Sequence, residues 1–376
     1  MVSYNYRRYY KADLDMLKFV GIWIENDTNL YKSWYSVLIN INYLVISLGL
    51  MMDWVFNTRS FVDFGITYIK PICFMAPIKS FLLMNNLSEL RSVLADLEDL
   101  LFQPENNFEL QLVKEVLDNF QKNKRVMIAI VGTGIVGSGL YPLFDQTRLV
   151  PFPAWYPFNI TKPLNFIFVY SHQFICVLII GGLNMYCDIV ISGMATFIGL
   201  QCQILCLRLG NISKMAHNER QKMLVKCVKH HVLILRFLGN VKHVFGTIYF
   251  WQICLCTMTL CMGLFLLSLS EPNSVEFFYL ILYQVAISFL LLVPCWFATQ
   301  MTEQSEQIAV AAYFCNWIDS DNEFKKDISF FILRSQDPLK LYAANFFEIS
   351  VVTFVKIIRS SLSYYAALSN LNSEEE

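Results

Sequence analysis

Charge is what this 376-residue chain has least of. Asp, Glu, Lys and Arg together make up 16%, against about 25% in soluble globular domains. That is too few to coat a globule of this size, which excludes an ordinary cytosolic enzyme. A disordered scaffold is excluded for the opposite reason, since apolar residues dominate. A net charge of −1 leaves no basic excess to hold nucleic acid. There is no His-Glu-X-X-His, no paired Cys-X-X-Cys and no phosphate-cradling glycine loop. No catalytic constellation, metal site or cofactor is therefore expected. The first thirty residues also lack the apolar core and small-residue cleavage site of a signal peptide. The chain is expected to enter the membrane through its own first span.

What the chain does have is apolar surface. Hydrophobic residues account for 56%, with 31 Phe and 19 Tyr, and the mean hydropathy is +0.45. A membrane-crossing helix needs about 20 mostly apolar residues. Seven runs qualify: 34–56, 61–84, 126–143, 164–209, 244–269, 277–299 and 343–371. The fourth is too long to lie wholly in lipid. It reads as one span continuing out of the membrane as a helix, with Asp188 near the inner boundary. Flanking Lys and Arg set direction, because basic residues stay on the cytoplasmic side. Twenty-two fall in the N-terminal segment and in segments 80–125, 200–243 and 300–342, and three (Arg59, Arg148, Lys162) fall on the opposite side. The expected architecture is all-α and polytopic, with seven transmembrane helices and long cytosolic helical extensions. Its N-terminus is cytosolic and its C-terminus extracellular. G-protein-coupled receptors share the count but have the opposite orientation, and neither Asp-Arg-Tyr after span three nor Asn-Pro-X-X-Tyr in span seven occurs here.

With this topology none of the 11 cysteines falls in an outer loop, so reduced, packing cysteines are expected rather than disulfides. The sequon Asn159-Ile160-Thr161 falls on the outer side. Asn26, Asn86 and Asn211 open similar triplets on the inner side. The second outer loop, 141–163, is rich in proline and aromatics, and reads either as a lid over a site between helices or as a stiff connector. Gly132, Gly134, Gly137 and Gly139 lie inside the third run, where they mark close helix packing or a cavity. On the inner side, 86–125 reads as two amphipathic stretches. His230 and His231 point about 100° apart on a helix, which does not make a metal site.

The seventh run carries the sharpest pattern. On a helical wheel Lys356, Arg359, Ser360, Ser363, Ala367, Asn370 and Leu371 share one face, with Phe354, Ile358, Leu362 and Tyr365 opposite. A lipid-facing helix does not carry a small, polar stripe with two cations. The stripe faces either a neighbouring helix or a water-lined pore. In the pore reading, Ala367 to Leu371 form an apolar constriction that gates by dewetting, and the cations sit towards a wide cytosolic vestibule.

The stretch from Ala311 resembles the C-terminal signature of insect odorant receptors. The matches are Tyr313 and Trp317, Arg334-Ser335-Gln336 with Pro338-Leu339, Thr353-Phe354, and Ser361-Leu362-Ser363-Tyr364. Tyr170, Gln173, Asp188, the Leu-Arg-Leu at 207–209 and the loop from Pro151 to Pro157 are similar as well. The related gustatory receptors usually end in Thr-Tyr, five residues and Gln-Phe. Here Thr353-Phe354 is followed by Ser360-Ser361.

The resemblance implies a tetrameric, ligand-gated, non-selective cation channel in the plasma membrane of olfactory neuron dendrites, with span seven lining the pore. It implies a partner too, because most members are odorant-tuning subunits beside a shared, longer co-receptor. The co-receptor's insertion between spans four and five is missing here, and its Val-Leu-Val-Gln-Leu gate corresponds to Ala367, Leu368, Ser369, Asn370 and Leu371. A homotetramer is accordingly expected to gate poorly. The alternatives are a gustatory-receptor-like homomeric channel or a G-protein-coupled receptor. The expected division is a bundle with odorant site over 1–299, a cytosolic assembly segment over 300–338, and a pore-lining helix over 339–376. Subunit contacts would involve 201–241 and 302–338, anchored by Trp317 and 324–332.

The family pocket lies in the outer half of the bundle. Span two would offer Phe64, Tyr68 and Ile72, and span three Gly134, Gly137, Ser138 and Tyr141. Span four would offer Tyr170, Phe174 and Val177, and span six Tyr279 and Tyr283. Each of these serves equally as packing. The site would be aromatic and nearly dry, and would bind a small volatile, planar and aromatic with one polar group, mainly by apolar burial at about 25 cal/mol per Å². The topology has a direct check. An epitope placed after Leu371 is expected to bind antibody on intact cells; binding only after permeabilisation would reverse the orientation.

Overall fold

The computed structural model describes residues 4–22, 30–57, 70–144, 150–152 and 154–375. The elements are α1 (Arg7–Phe19), α2 (Leu30–Asn57), α3 (Lys70–Asn85), α4 (Leu87–Asp96), α5 (Asn107–Phe144), α6 (Pro163–Ile212), α7 (His217–Leu269), α8 (Val275–Tyr313), α9 (Asn322–Ser335) and α10 (Val351–Glu375). A short antiparallel hairpin, β1 (Tyr342–Ala343) with β2 (Phe347–Glu348), precedes α10. Among the described residues, five helices are long and apolar enough to cross a membrane, lying in α2, α5, α6, α7 and α8. The protein is thus a polytopic all-α membrane protein.

The fourth apolar run forms part of one uninterrupted helix of 50 residues, α6, which is roughly 75 Å long. It is apolar all round, and such a helix must be buried by neighbours. It occupies the centre, packed on α8, α5, α7 and α1. The amphipathic α1 buries Tyr10, Asp13, Leu14 and Leu17. It docks through Tyr10 Oη, which donates to the Gly193 carbonyl at 3.0 Å, and through an Asp13–Lys124 ion pair at 3.1 Å.

The seventh run does not begin as helix at Ala343. Residues 342–348 form the hairpin, and α10 starts at Val351. The turn places Ala344 (φ 46°) and Asn345 (φ 61°) in the left-handed region, as a tight hairpin turn requires and as Ala rarely does. Tertiary contacts hold it there. Ala344 N–H donates to the Gly246 carbonyl at 3.0 Å, and a Cβ on Gly246 would come within 3.1 Å of the Tyr342 carbonyl. Val351 N–H then donates to Thr299 Oγ1 at 3.0 Å, tying the start of α10 to α8.

Where the long helices extend towards the end of the bundle that holds α9, Arg208 is 1% exposed. Its guanidinium pairs with Glu109 at 3.0 Å and Glu105 at 2.9 Å, and donates to the carbonyls of Leu101 and Gln103. It also meets His230 Nδ1 at 3.3 Å, while His230 Nε2 lies 3.0 Å from Gln201 Oε1. Arg208 can only donate, and Gln201 Oε1 only accepts. His230 is therefore neutral with its proton on Nε2. Adjacent His231 packs edge-on against Phe331 instead. In α9, Phe324, Ile328 and Phe331 are buried within the chain. Trp317 is half-buried, its indole donating to the Tyr313 carbonyl. The outward apolar groups of this region are Phe314, Ile318, Phe330 and Leu333.

Burial, reinforced by Arg208, pulls the His230 imidazole down to about 3. Burial, then Arg334, pulls His231 down to about 4. Below its ordinary value near 6.5 an unfolded histidine binds a proton that the folded one refuses, so stability falls as pH falls. Thermal stability of the solubilised protein is expected to drop steadily from pH 6.5 to 4. His230→Gln should make that slope shallower by about one proton; an unaltered slope would rule out the neutral buried histidine.

Candidate functional site

The helix stripes that face one another in the upper bundle leave a narrow cavity of about 60 Å³, smaller than ordinary small-molecule sites. Four helices and one loop form its wall. Ile72 and Cys73 come from α3, and Val131, Gly134, Ile135 and Ser138 from α5. Val177, Ile180, Gly181 and Asn184 come from α6, and Tyr283, Ala286, Ile287 and Leu290 from α8, each set at helical three- and four-residue spacing. Phe152 of the proline-rich loop completes it.

That loop is held by hydrogen bonds rather than lying free. Phe152 N–H donates to Gln173 Oε1 at 2.8 Å, Gln173 Nε2 donates to Tyr156 Oη at 3.2 Å, and Trp155 N–H donates to the Gly49 carbonyl at 3.0 Å. The Phe152 ring is 2% exposed. Of the two readings of this loop, a cover over a space between helices matches its geometry.

Of the expected pocket residues, Ile72, Gly134, Ser138, Val177 and Tyr283 line this cavity. Tyr279 lies just beyond, donating to Ser138 Oγ at 3.2 Å and stacked on Tyr141 with ring centroids 4.4 Å apart. Tyr141 is therefore committed to a ring pair. Tyr170 donates to the Gly139 carbonyl at 2.6 Å, and Phe174 lies against Gly139, where a Cβ would come within 2.8 Å of its ring. Gly137 faces Leu282. Phe64 and Tyr68 lie outside the described residues. The wall residues missing from the sequence expectation mostly lie one or two turns further in: Ile180, Gly181 and Asn184 follow Val177, and Ala286, Ile287 and Leu290 follow Tyr283. Extending each stripe by i+3, i+4 and i+7 would have found them.

Below the cavity lies an ion pair that helical periodicity does not reveal. Lys79 Nζ of α3 is 3.1 Å from Asp188 Oδ1 of α6, each side chain 1% exposed. Lys79 also donates to the Asn184 carbonyl at 3.3 Å. Gln252 of α7 donates to Asp188 Oδ2 at 2.8 Å and to the Leu290 carbonyl of α8 at 3.3 Å. One polar knot thus joins the four helices. Among the described residues no cluster of His, Cys, Asp and Glu could hold a metal ion, and no disulfide joins the eleven cysteines.

On α10, Lys356, Arg359, Ser360 and Ser363 are exposed, while Ile357 and Ser361 are buried. The helix packs on α7 and α8, and its polar stripe is left exposed. Leu362, expected on the face opposite the stripe, is 48% exposed as well. The side chains of Ala367, Asn370 and Leu371 lie outside the described residues. Lys356 and Ser360 border an open groove that also holds Glu303, Glu306 and Glu348.

The family model described as 7tm Odorant receptor matches residues 65–362. This chain belongs to the odorant receptor family. The receptor is 24% identical to Odorant receptor 10 of Aedes albopictus, over 61% of its own length and 62% of that relative's. It is 19% identical to Odorant receptor Or1 of Anopheles gambiae over 99% and 97% of the two chains. In fold, it superimposes on the insect olfactory receptor OR5 of Machilis hrabei with a TM-score of 0.87, at 18% identity, covering 96% of this chain and 97% of that one. The OR5 structure in complex with eugenol gives 0.88, at 18% identity and 97% and 98% coverage.

The receptor's cavity depends on close backbone approach. A Cβ on Gly134 would lie 2.5 Å from the Ala286 Cβ, so Gly134→Ala must push α5 and α8 apart. A loss of about 1–3 kcal/mol is expected, read as a lowered Tm. Adding Ala286→Gly should recover most of it; additive losses in the double variant would refute the contact.

Proposed function

We propose that this chain is an odorant-tuning subunit of a ligand-gated cation channel. It binds a small volatile in the cavity between α3, α5, α6 and α8, and opens a pore lined by α10. The observation that carries the reading is a nearly dry, covered cavity in a chain whose last helix presents an unpartnered polar stripe. A wall of Ile, Val, Leu and Phe with few polar groups selects for compact apolar ligands. The bound eugenol of the Machilis hrabei receptor, of the same fold, supports a small, one-ring, weakly polar volatile here.

Among the described residues no helix covers Lys356, Arg359, Ser360 and Ser363, which favours water or a second subunit over packing within the bundle. In an assembly around α10 the stripe lines a central pore, with the gate at Ala367, Asn370 and Leu371. The glutamates of the neighbouring groove attract cations towards it. Residues 300–338 supply the assembly segment, through the outward Phe314, Ile318, Phe330 and Leu333. Seven spans, with the N-terminus cytosolic, then place the cavity in the outer half of the membrane, and 22 inner against three outer basic residues support that orientation. The partner is a shared co-receptor, and the location is the dendrite membrane of an olfactory neuron.

Whole-cell current during a volatile panel, with G-protein signalling blocked, tests this. Current is expected when the chain is expressed with the co-receptor, and little when it is expressed alone. Silence in both, with the chain confirmed at the surface, would overturn the channel reading.

A further inference from the structure

Three cationic side chains of α1 are used by nothing in the fold. Arg7, Arg8 and Lys11 are exposed, and among the described residues none of them meets a carboxylate. The acids of the same helix are committed elsewhere, Asp13 inward to Lys124 and Asp15 to Lys18, each at 3.1 Å. Lys11 follows the two arginines by three and four residues, so all three project from one face. They border a groove of about 510 Å³.

Their depth is fixed by the helix they ride on. α1 runs antiparallel along α6, with the Tyr6 ring 5.1 Å from Phe197, Tyr10 on the Gly193 carbonyl and Val20 against Gly182. Asp13 is level with Lys124, two residues before the apolar run that opens at Val126. The Phe19 carbonyl accepts from Tyr35 Oη, one residue into the apolar span that opens at Trp34. The edge of the hydrocarbon thus falls between Asp13 and Phe19. Phe19, 59% exposed, stands on its apolar side. Lys11 and Arg7 stand on its polar side, about 3 and 9 Å from Asp13 at the helical rise. That is the depth of lipid headgroups, a layer about 5–8 Å thick.

We propose that α1 is a docking site for an anionic phospholipid of the inner leaflet. The lipid phosphate sits among Arg7, Arg8 and Lys11, and an acyl chain runs past the exposed Met16 and Phe19. Guanidinium forks match phosphate oxygens in pairs. A choline headgroup brings its own cation and cancels the attraction, whereas a serine headgroup leaves net negative charge for all three residues. The helix is anchored by Tyr10 and Asp13, so the site stands preformed. In an assembly around α10, which packs on α7 and α8, α1 packs on α6 and looks outward to lipid. The site does not depend on the odorant cavity; only the choice of leaflet rests on the cytosolic N-terminus proposed above.

The test is lipid protection against heating of the full-length receptor, extracted in detergent as a fluorescent fusion, where neither orientation nor gating enters. The probes are short-chain phosphatidylserine, short-chain phosphatidylcholine, and glycerophosphoserine, which has the headgroup and no chains. Phosphatidylserine is expected to protect at concentrations at least tenfold lower than either of the others. Each cation near a membrane surface is worth about fivefold in affinity. The variant Arg7→Gln/Arg8→Gln/Lys11→Gln should therefore need roughly a hundredfold more phosphatidylserine than the parent. If that variant does not survive extraction, Lys11→Gln alone should need about fivefold more. Lys222→Gln/Lys229→Gln/Lys326→Gln, which removes the same charge from other exposed sites, should respond as the parent does. Equal protection by the two lipids, or an α1 variant that responds like the parent, would overturn the proposal. So would a control variant that loses as much, since the effect would then be one of net charge. Glycerophosphoserine protecting as well as the lipid would overturn the lipid assignment and leave a site for soluble phosphate.

Discussion

The ion pair between Lys79 and Asp188 is the constraint on which the rest of the bundle depends. Two charges 1% exposed within a membrane-spanning bundle are expensive, and they persist only when each satisfies the other and their remaining valences are filled. Here the filling comes from Gln252 and from the carbonyls of Asn184 and Leu290, so α3, α6, α7 and α8 meet at one depth. Removing one partner of such a pair costs about 3–5 kcal/mol. The cavity begins one turn above, and its floor residues, Asn184 and Leu290, are themselves members of the knot. Register at the ion pair is therefore register at the cavity.

Arg208 does the same work at the other end of α6. Glu105, Glu109, His230 and two carbonyls surround it, so the long extensions of α5, α6 and α7 are locked side by side. Between the two polar knots, α6 is buried almost continuously, which gives the bundle a stiff axis. The element shared by the cavity and the proposed pore helix is α8. It lines the cavity from Tyr283 to Leu290 and, three turns on, receives the first amide of α10 on Thr299. A ligand that moved α8 against α5, across the tight Gly134–Ala286 contact, would move the base of α10 with it.

Much of the fold was legible because lipid imposes simple rules. Runs of about 20 apolar residues must be helices, and the stripe of Lys356, Arg359, Ser360 and Ser363 announced an unusual face before any coordinates. The candidate site was legible as helix faces and not as depth. Val177 and Tyr283 named the correct stripes, yet Ile180 and Ala286 one turn inward and Asn184 and Leu290 two turns inward were missed, because periodicity gives direction around a helix and not height along its neighbour. Tyr141 and Tyr170 looked like ligand contacts and are instead committed to a ring stack and a backbone carbonyl. Aromatic character alone cannot tell these uses apart.

The sequence by itself determined the membrane class, the helical content, the apolar faces and the polar stripe of the last helix. Each follows from local composition, which water and lipid read residue by residue. Only the tertiary structure decided which charge Lys79 meets 109 residues away, and that Ala344 turns left-handed into a hairpin rather than starting a helix. It alone decided that Asn184 stands in an otherwise apolar cavity wall. These are outcomes of pairwise distance, and a helix carries its side chains into register with neighbours its own sequence does not name.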